Sequence, residues 1–429
     1  MGFTKEEITS IAGDEVLESN IKYNPKYQWI DIVAIPQRPE ELKSNLYLTT
    51  HSLGEGGWSY EFDRRPTAAK VAFDKGWHLG IEEGTDVGGA EFLKVINLDT
   101  FAHKLYEYAR NNTDPYIIGV TGSVGKTTTV AFLEHLLKES DTNVVRFYSK
   151  RLTPLSVMCH YINRVDQGTQ FVVMEYSTYL KDHVAKLSEL LPPNIAFLTN
   201  IYNTHINPGM FENKKDIFDS KIRIKPAKSV GYINNKVVSE LAVPTPEGWN
   251  GFDVELPEGI KNTLLPPTLR TAEMFTVGKL LANELNLSMN NLARAYETFE
   301  PVENRLLTVS YRGKSIFFHG ETSGGGRLWS WFETLDGSSP WFMVESIDFA
   351  DEDPQGFKDL LEKVFEADKT FVLDTPKNRE RLPVKANFVD KEKFSDIMRN
   401  RVEGYAVFHK ALSTRQKGFD PESYINETW

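Results

Sequence analysis

Cysteine occurs once in the 429 residues, as Cys159. A single thiol excludes a disulfide framework and suits a reducing compartment, and it reads as a small buried hydrophobe rather than a nucleophile. Long apolar runs are missing too: none approaches the roughly 18 residues that a membrane-spanning helix needs. The opening MGFTKEEITS has neither the basic nor the apolar region of a secretory signal. Positive charge is in short supply. Lys and Arg number 49 against 60 Asp and Glu, a formal charge of −11, which argues against a sequence-independent grip on nucleic acid or anionic membrane. Internal repeats and low-complexity tracts are absent. These absences lead to the expectation of a soluble, cytoplasmic protein; a monomer or a small homo-oligomer is expected.

What the chain does have is apolar content, 40% of residues, enough for several cores. Three α/β patterns follow one another. The first, residues 1–112, carries IDIVAIP, NLYLTT and AAKVAFDKGWHLGI. ARNNTDP (109–115) is polar and turn-rich and reads as a linker. The second pattern, 113–302, has the buried-strand candidates YIIGV, NVVRFY, QFVVMEY and NIAFLTN, separated by helical stretches. Continuous apolar strands of this kind predict a parallel sheet covered on both faces. A Pro- and Gly-rich stretch, VPTPEGWNGFDVELPEG, is expected to form a surface excursion. The third pattern, 303–429, alternates again through LLTVSYRGKSIFF, PWFMVES, FKDLLEKVFEA, TFVLD, FSDIMRN and YAVFHKA.

The chemistry is concentrated at GVTGSVGKTTT, residues 119–129, at a strand-to-helix turn. Glycines let backbone N–H groups close around an anion, and a helix N-terminus adds partial positive charge. Lys126 adds a full charge and Thr127 a hydroxyl suited to magnesium. The strict phosphate-loop pattern asks for glycine at 120, where this chain has valine. Glu175, in FVVMEYSTYL, falls at the carboxyl end of a predicted strand, where ligands of open α/β sheets gather; it reads either as a magnesium-directed carboxylate or as a helix-starting one. His205 follows the next strand. Lys221 lies on a short helical stretch, DIFDSKIRI, whose Ile217, Phe218, Ile222 and Ile224 would pin it to the domain.

In order and spacing, TGSVGKTT, the strand-end glutamate before YST, TNIYNTHI and DIFDSKIRI resemble the Mur ligases. These are ATP-dependent amide-bond ligases that include the enzymes of the peptidoglycan stem peptide and, more distantly, folylpolyglutamate synthetases. The resemblance is strongest over 116–235, and THINPGMFENKKDIFDSK looks closest to the branch that adds the terminal dipeptide. It implies three domains, with a central P-loop parallel sheet and a Rossmann-like third domain. It implies ATP and Mg2+ as cofactors, and a carboxylate and an amine as substrates joined through an acyl phosphate. Thr121, Gly122, Ser123, Val124, Gly125, Lys126, Thr127 and Thr128 would then cradle the nucleotide phosphates. Thr127 and Glu175 would bind one magnesium and His205 a second. Lys221 would act as a carbamate, and Arg305, in PVENR, would approach the γ-phosphate after domain closure.

Three stretches depart from the family pattern. LRTAEMF (269–275) stands where a His-Asn helix start contacts adenine, FFHGETSGGGRLW (317–329) replaces an Asp-rich loop, and IPQRPEE (35–41) replaces an Asp-Ser-Arg. The last points to an acid other than the uridine-linked peptide. Two other functions stay open: a different P-loop kinase or NTPase, and a nucleotide-binding subunit without ligase activity of its own. Glu175, His205 and Lys221 in register speak against the first; their retention beside Lys126 and Thr127 speaks against the second.

Overall fold

The computed structural model describes residues 2–32, 45–49, 70, 73–85, 87–147, 153–177, 181–203, 206, 211–257, 265, 268–300, 307–320, 341–349, 355, 358–403, 405–411 and 419–429. β1 (Phe3–Thr4) and β3 (Lys26–Tyr27) make a short antiparallel pair. β2 (Val16–Ser19), β4 (Trp29–Ile32), β5 (Asn45–Leu48), β6 (His78–Ile81) and β7 (Phe92–Val95) form a five-stranded sheet in the order β2-β7-β6-β5-β4, parallel except for β2. The helix Pro154–Arg164 is tied to this sheet. Asn163 accepts from Ile30 N–H at 2.8 Å and donates to its carbonyl at 2.7 Å, so one amide side chain pairs with one residue's backbone. Thr153 caps the helix through Ser156 N–H, and Pro154 sits in the first turn, where its missing N–H costs nothing.

The second sheet consists of β8 (Tyr116–Thr121), β9 (Val144–Phe147), β10 (Phe171–Glu175), β11 (Ile195–Leu198), β12 (Val230–Asn234) and β13 (Trp249–Phe252), ordered β13-β12-β11-β8-β10-β9. The apolar runs of β8, β10 and β11 are buried nearly throughout, as strands covered on both faces must be. The stretch 243–259 corrects the sequence expectation. Instead of a surface excursion alone it carries β13, paired in parallel with β12 at the sheet's edge. Gly251 permits the approach, since a Cβ there would lie 2.1 Å from Asn235 Oδ1. Only Phe252 of this strand is buried, so no alternation announces it.

The third sheet contains β14 (Leu307–Tyr311), β15 (Lys314–His319), β16 (Trp341–Ser346), β17 (Thr370–Leu373), β18 (Phe388–Val389) and β19 (Tyr405–Lys410), ordered β14-β15-β19-β16-β17-β18. β14 and β15 form a hairpin; the other pairings are parallel. Arg312 and Gly313, with φ of 48° and 77°, turn the hairpin with the left-handed pair that matches strand twist.

The chain forms two compact units. One comprises Met1–Gly119, Thr142–Ala196 and Arg223–Ser229; the other comprises Val120–Asp141, Phe197–Ile222 and Val230–Trp429. The boundary passes through β8 and β11. Among the described residues no helix is long and apolar enough to cross a membrane.

Candidate functional site

β8 ends at Thr121, and residues 122–125 turn the chain into the helix Lys126–Glu139. Gly125 takes the cap position with φ of 85°, a left-handed conformation that costs glycine little and other residues more. Gly122 is required for a different reason: a Cβ there would stand 2.3 Å from Thr199 Oγ1. Glycine at 122 and 125 is thus what this turn demands, whereas 120 is a buried strand position that takes valine. Lys126 Nζ folds back to donate to the Ser123 carbonyl at 3.2 Å, which holds its charge over the loop. Thr127 and Thr128 lie in the first helical turn, whose N–H groups have no intrahelical acceptor. A glycine-opened turn, a helix N-terminus and a lysine make a cradle that fits phosphate.

Behind the loop lies a buried polar network that sequence reasoning did not identify. Asn200 Oδ1 accepts from Ser123 N–H at 3.1 Å and from Val124 N–H at 2.9 Å. The two protons of its Nδ2 are shared among the Val124 carbonyl, Thr199 Oγ1 and Glu273 Oε2, at 2.9, 3.0 and 2.9 Å. Glu273 also accepts from Asn234 Nδ2 at 3.2 Å and from Arg270 Nη1 at 2.6 Å. Arg270 reaches on through Nη2 to the Tyr202 hydroxyl at 3.0 Å. Burial holds the Glu273 pKa above the ordinary carboxylate value, and Arg270 with the two asparagines offsets only part of that rise. Arg270 and Glu273 stand three apart on the helix Leu269–Glu284, which Thr268 caps through Thr271 N–H. An oppositely charged pair at that spacing was the available signal, inside the same LRTAEMF that departs from the family pattern.

Lys221 is one of the largest fully buried side chains, 2% exposed, and its Nζ donates to the Gly122 carbonyl at 2.9 Å. It is therefore not a solvated helix residue. The helix Lys214–Lys221 is capped by Asn213 through Asp216 N–H and is held by Ile217 and Phe218, which pack with Leu198, Ile201, Phe211 and Ile233; Ile222 joins at the margin. The structure thus brings the loop 121–128, Asn200 and Lys221 together. Glu175 ends β10 and accepts from Ser177 Oγ at 2.5 Å. His205 and Arg305 lie outside the described residues, as do IPQRPEE and most of FFHGETSGGGRLW. Among the described residues no three His, Cys, Asp or Glu converge to hold a metal.

A parallel sheet whose strand β8 delivers a glycine-lysine-threonine turn to a helix N-terminus defines a P-loop nucleotide-binding fold. Residues 120–238 match the family described as the Mur ligase middle domain. The UDP-N-acetylmuramate–L-alanine ligase of Christiangramia forsetii is 30% identical over 236 residues, 50% of this chain and 49% of that protein. The UDP-N-acetylmuramoyl-tripeptide–D-alanyl-D-alanine ligase of Rickettsia prowazekii is 29% identical over 155 residues, 36% of this chain and 34% of that one. The match thus spans about half or less of these curated relatives. The solved structure of MurF from Acinetobacter baumannii superposes with a TM-score of 0.70 at 16% identity, covering 97% of each chain. That of the MurF ligase from Thermotoga maritima in complex with ADP gives 0.63 at 18%, covering 91% of this chain and 95% of that one. Residues 120–238 thus match the Mur ligase middle domain, and the fold of the chain resembles that of the MurF ligases.

Proposed function

We propose that the chain is an ATP-dependent ligase that joins a carboxylic acid to an amine, working in the cytoplasm as a monomer or small homo-oligomer. A carboxylate oxygen attacks the γ-phosphorus, ADP leaves, the amine nitrogen attacks the carbonyl carbon of the acyl phosphate, and phosphate departs as the nitrogen loses a proton. The observation that carries this is the glycine-opened cradle at 121–128 with the charge of Lys126 held over Ser123. Positive charge held at that turn is what stabilises a transferring phosphoryl group. Magnesium, when bound, neutralises phosphate charge as it develops; Thr127 and Glu175 would hold one ion and His205 a second. Arg305 would supply a further charge to the γ-phosphate. Lys221 would work as its carbamate, an anion that would help position the second ion. We place the domain boundaries near residues 112 and 302.

The names of the relatives include additions of L-alanine, D-glutamate, diaminopimelate and D-alanyl-D-alanine, so kinship does not single out an amine. The altered IPQRPEE stretch favours an acid other than the uridine-linked peptide. The test is a titration with Mg-ATP followed by product analysis with candidate acids and amines. Mg-ATP is expected to bind, with Lys126→Ala weakening binding by an order of magnitude or more as a full charge leaves the phosphates. ADP, phosphate and an amide should appear together. Phosphate release without amide formation would favour an NTPase, and binding without turnover a subunit. Fast ligation of a uridine-muramoyl peptide would overturn the substrate assignment alone.

A further inference from the structure

We propose that Asn200 is a positioning residue that holds the phosphate loop in its nucleotide-receiving conformation before nucleotide arrives, with Glu273 as its buried anchor. The proposal rests on the loop being an ATP cradle. One primary amide satisfies both the N–H and the C=O of Val124 and also takes Ser123 N–H, in the pattern of a strand partner. The Asn200 carbonyl accepts from Ser123 N–H as well, at 3.0 Å. A turn built around Gly122 and Gly125 has wide conformational freedom when nothing holds it. Four hydrogen bonds from one residue remove that freedom, so little ordering is left for the nucleotide to impose.

The chemistry of the clamp fits this role and no simpler one. An aspartate at 200 would lose the donor to the Val124 carbonyl and to Glu273, put a second carboxylate beside Glu273 that pushes the side chain off the loop, and add negative charge behind a polyanion. Asparagine accepts on one side and donates on the other without net charge. Glu273, 2% exposed, fixes the donor side, and the Arg270 guanidinium at 2.6 Å balances its charge. The network thus stiffens the loop without repelling phosphate. It occupies the amides of Ser123 and Val124, and directs phosphate to the helix N-terminus that begins at Lys126. A core that needed only filling would not carry an asparagine, a glutamate and an arginine in series.

The test combines amide hydrogen exchange in the nucleotide-free chain with Mg-ATP titration, on the parent, Asn200→Asp and Asn200→Asp/Glu273→Gln. Asn200→Asp should speed exchange of the 122–125 amides at least tenfold, while amides of β10 and β12 keep their protection. It should also weaken Mg-ATP at least tenfold. The double variant returns a donor facing an acceptor, and should recover part of both losses. Should Asn200→Asp fail to fold, Asn200→Ala, which adds no charge, replaces it with the same expected exchange. Parent-like loop exchange in these variants, or no recovery in a folded double variant, overturns the clamp. A parent chain that binds no Mg-ATP sinks the ligase assignment instead, and the exchange data still decide the clamp.

Discussion

A lysine that keeps only 2% of its surface in contact with solvent must find acceptors or give up its charge. Lys221 donates to the Gly122 carbonyl, at the point where the phosphate loop leaves β8. That contact is compatible with both forms of the residue. An ammonium has three protons to give, and a carbamylated nitrogen still keeps one N–H, so the bond to Gly122 survives modification. The two forms differ in what else they face: a cation repels magnesium, while a carbamate attracts it. Lys221→Ala is expected to lower turnover roughly 100-fold or more, in the range that phosphoryl-transfer groups supply. Short carboxylic acids should restore part of it by filling the vacated anion position, and intact-mass measurement under added bicarbonate should find a carbamate on the parent alone. Parent-like turnover in the variant, or rescue by short amines instead of acids, would refute the carbamate. The sequence made Lys126, Thr127 and Lys221 legible because each sits in a short motif whose chemistry is local. Asn200, Arg270 and Glu273 stayed hidden because their partners are distant in sequence, 123 with 200 and 200 with 273. The first exists only once β8 and β11 are neighbours in the sheet, the second only once the helix Leu269–Glu284 packs behind the loop.

At the scale of elements, the site depends on how closely helices pack around the loop. The helix Lys126–Glu139 meets Leu269–Glu284, the helix that carries Arg270 and Glu273, and Gly278 lets them approach. A Cβ at 278 would lie 2.6 Å from Phe132 Cε1, and Phe132 is itself held edge-on by Tyr296 and Phe299. Gly278→Ala is therefore expected to overpack this crossing at a cost of about 1–3 kcal/mol, which a denaturant titration would read as a lower midpoint. Because the atoms nearest an added methyl belong to Phe132 and Leu292 and not to the clamp, Mg-ATP affinity of the folded fraction should stay within about threefold of the parent; a midpoint equal to the parent's would show that Phe132 yields at no cost. The alternation of strands and helices was readable from the apolar runs, and the structure shows Thr153, Asn213 and Thr268 each capping a helix that forms. β13 was not readable, because an edge strand with one inward residue and a glycine has the composition of a loop.

On the scale of the whole molecule, the question is how the third sheet is joined to the phosphate loop. Val124 and Tyr202 belong to the same apolar cluster as Phe342, Val344, Ile347 and Phe349, which come from β16 and the residues after it. The loop that would receive phosphate thus shares a buried surface with the third sheet. Tyr202 also takes the Arg270 hydrogen bond, so the polar clamp and the apolar cluster meet at Tyr202 as well as at Val124. If ligation needs the third sheet held against the loop, apolar burial would supply the holding and, on the proposed reading, Arg305 the charge. Two substitutions separate those contributions. Ile347→Asp puts an unpaired carboxylate into the cluster, which should loosen the third domain, widen the scattering profile of the chain and lower turnover. Arg305→Ala should leave the scattering profile and the Mg-ATP dissociation constant near those of the parent, and lower turnover by on the order of 10³, as loss of an arginine on a transferring phosphoryl group does. Equal loss of ATP affinity and turnover in Arg305→Ala would make that residue part of the binding surface instead. An unchanged turnover would remove it from the chemistry altogether.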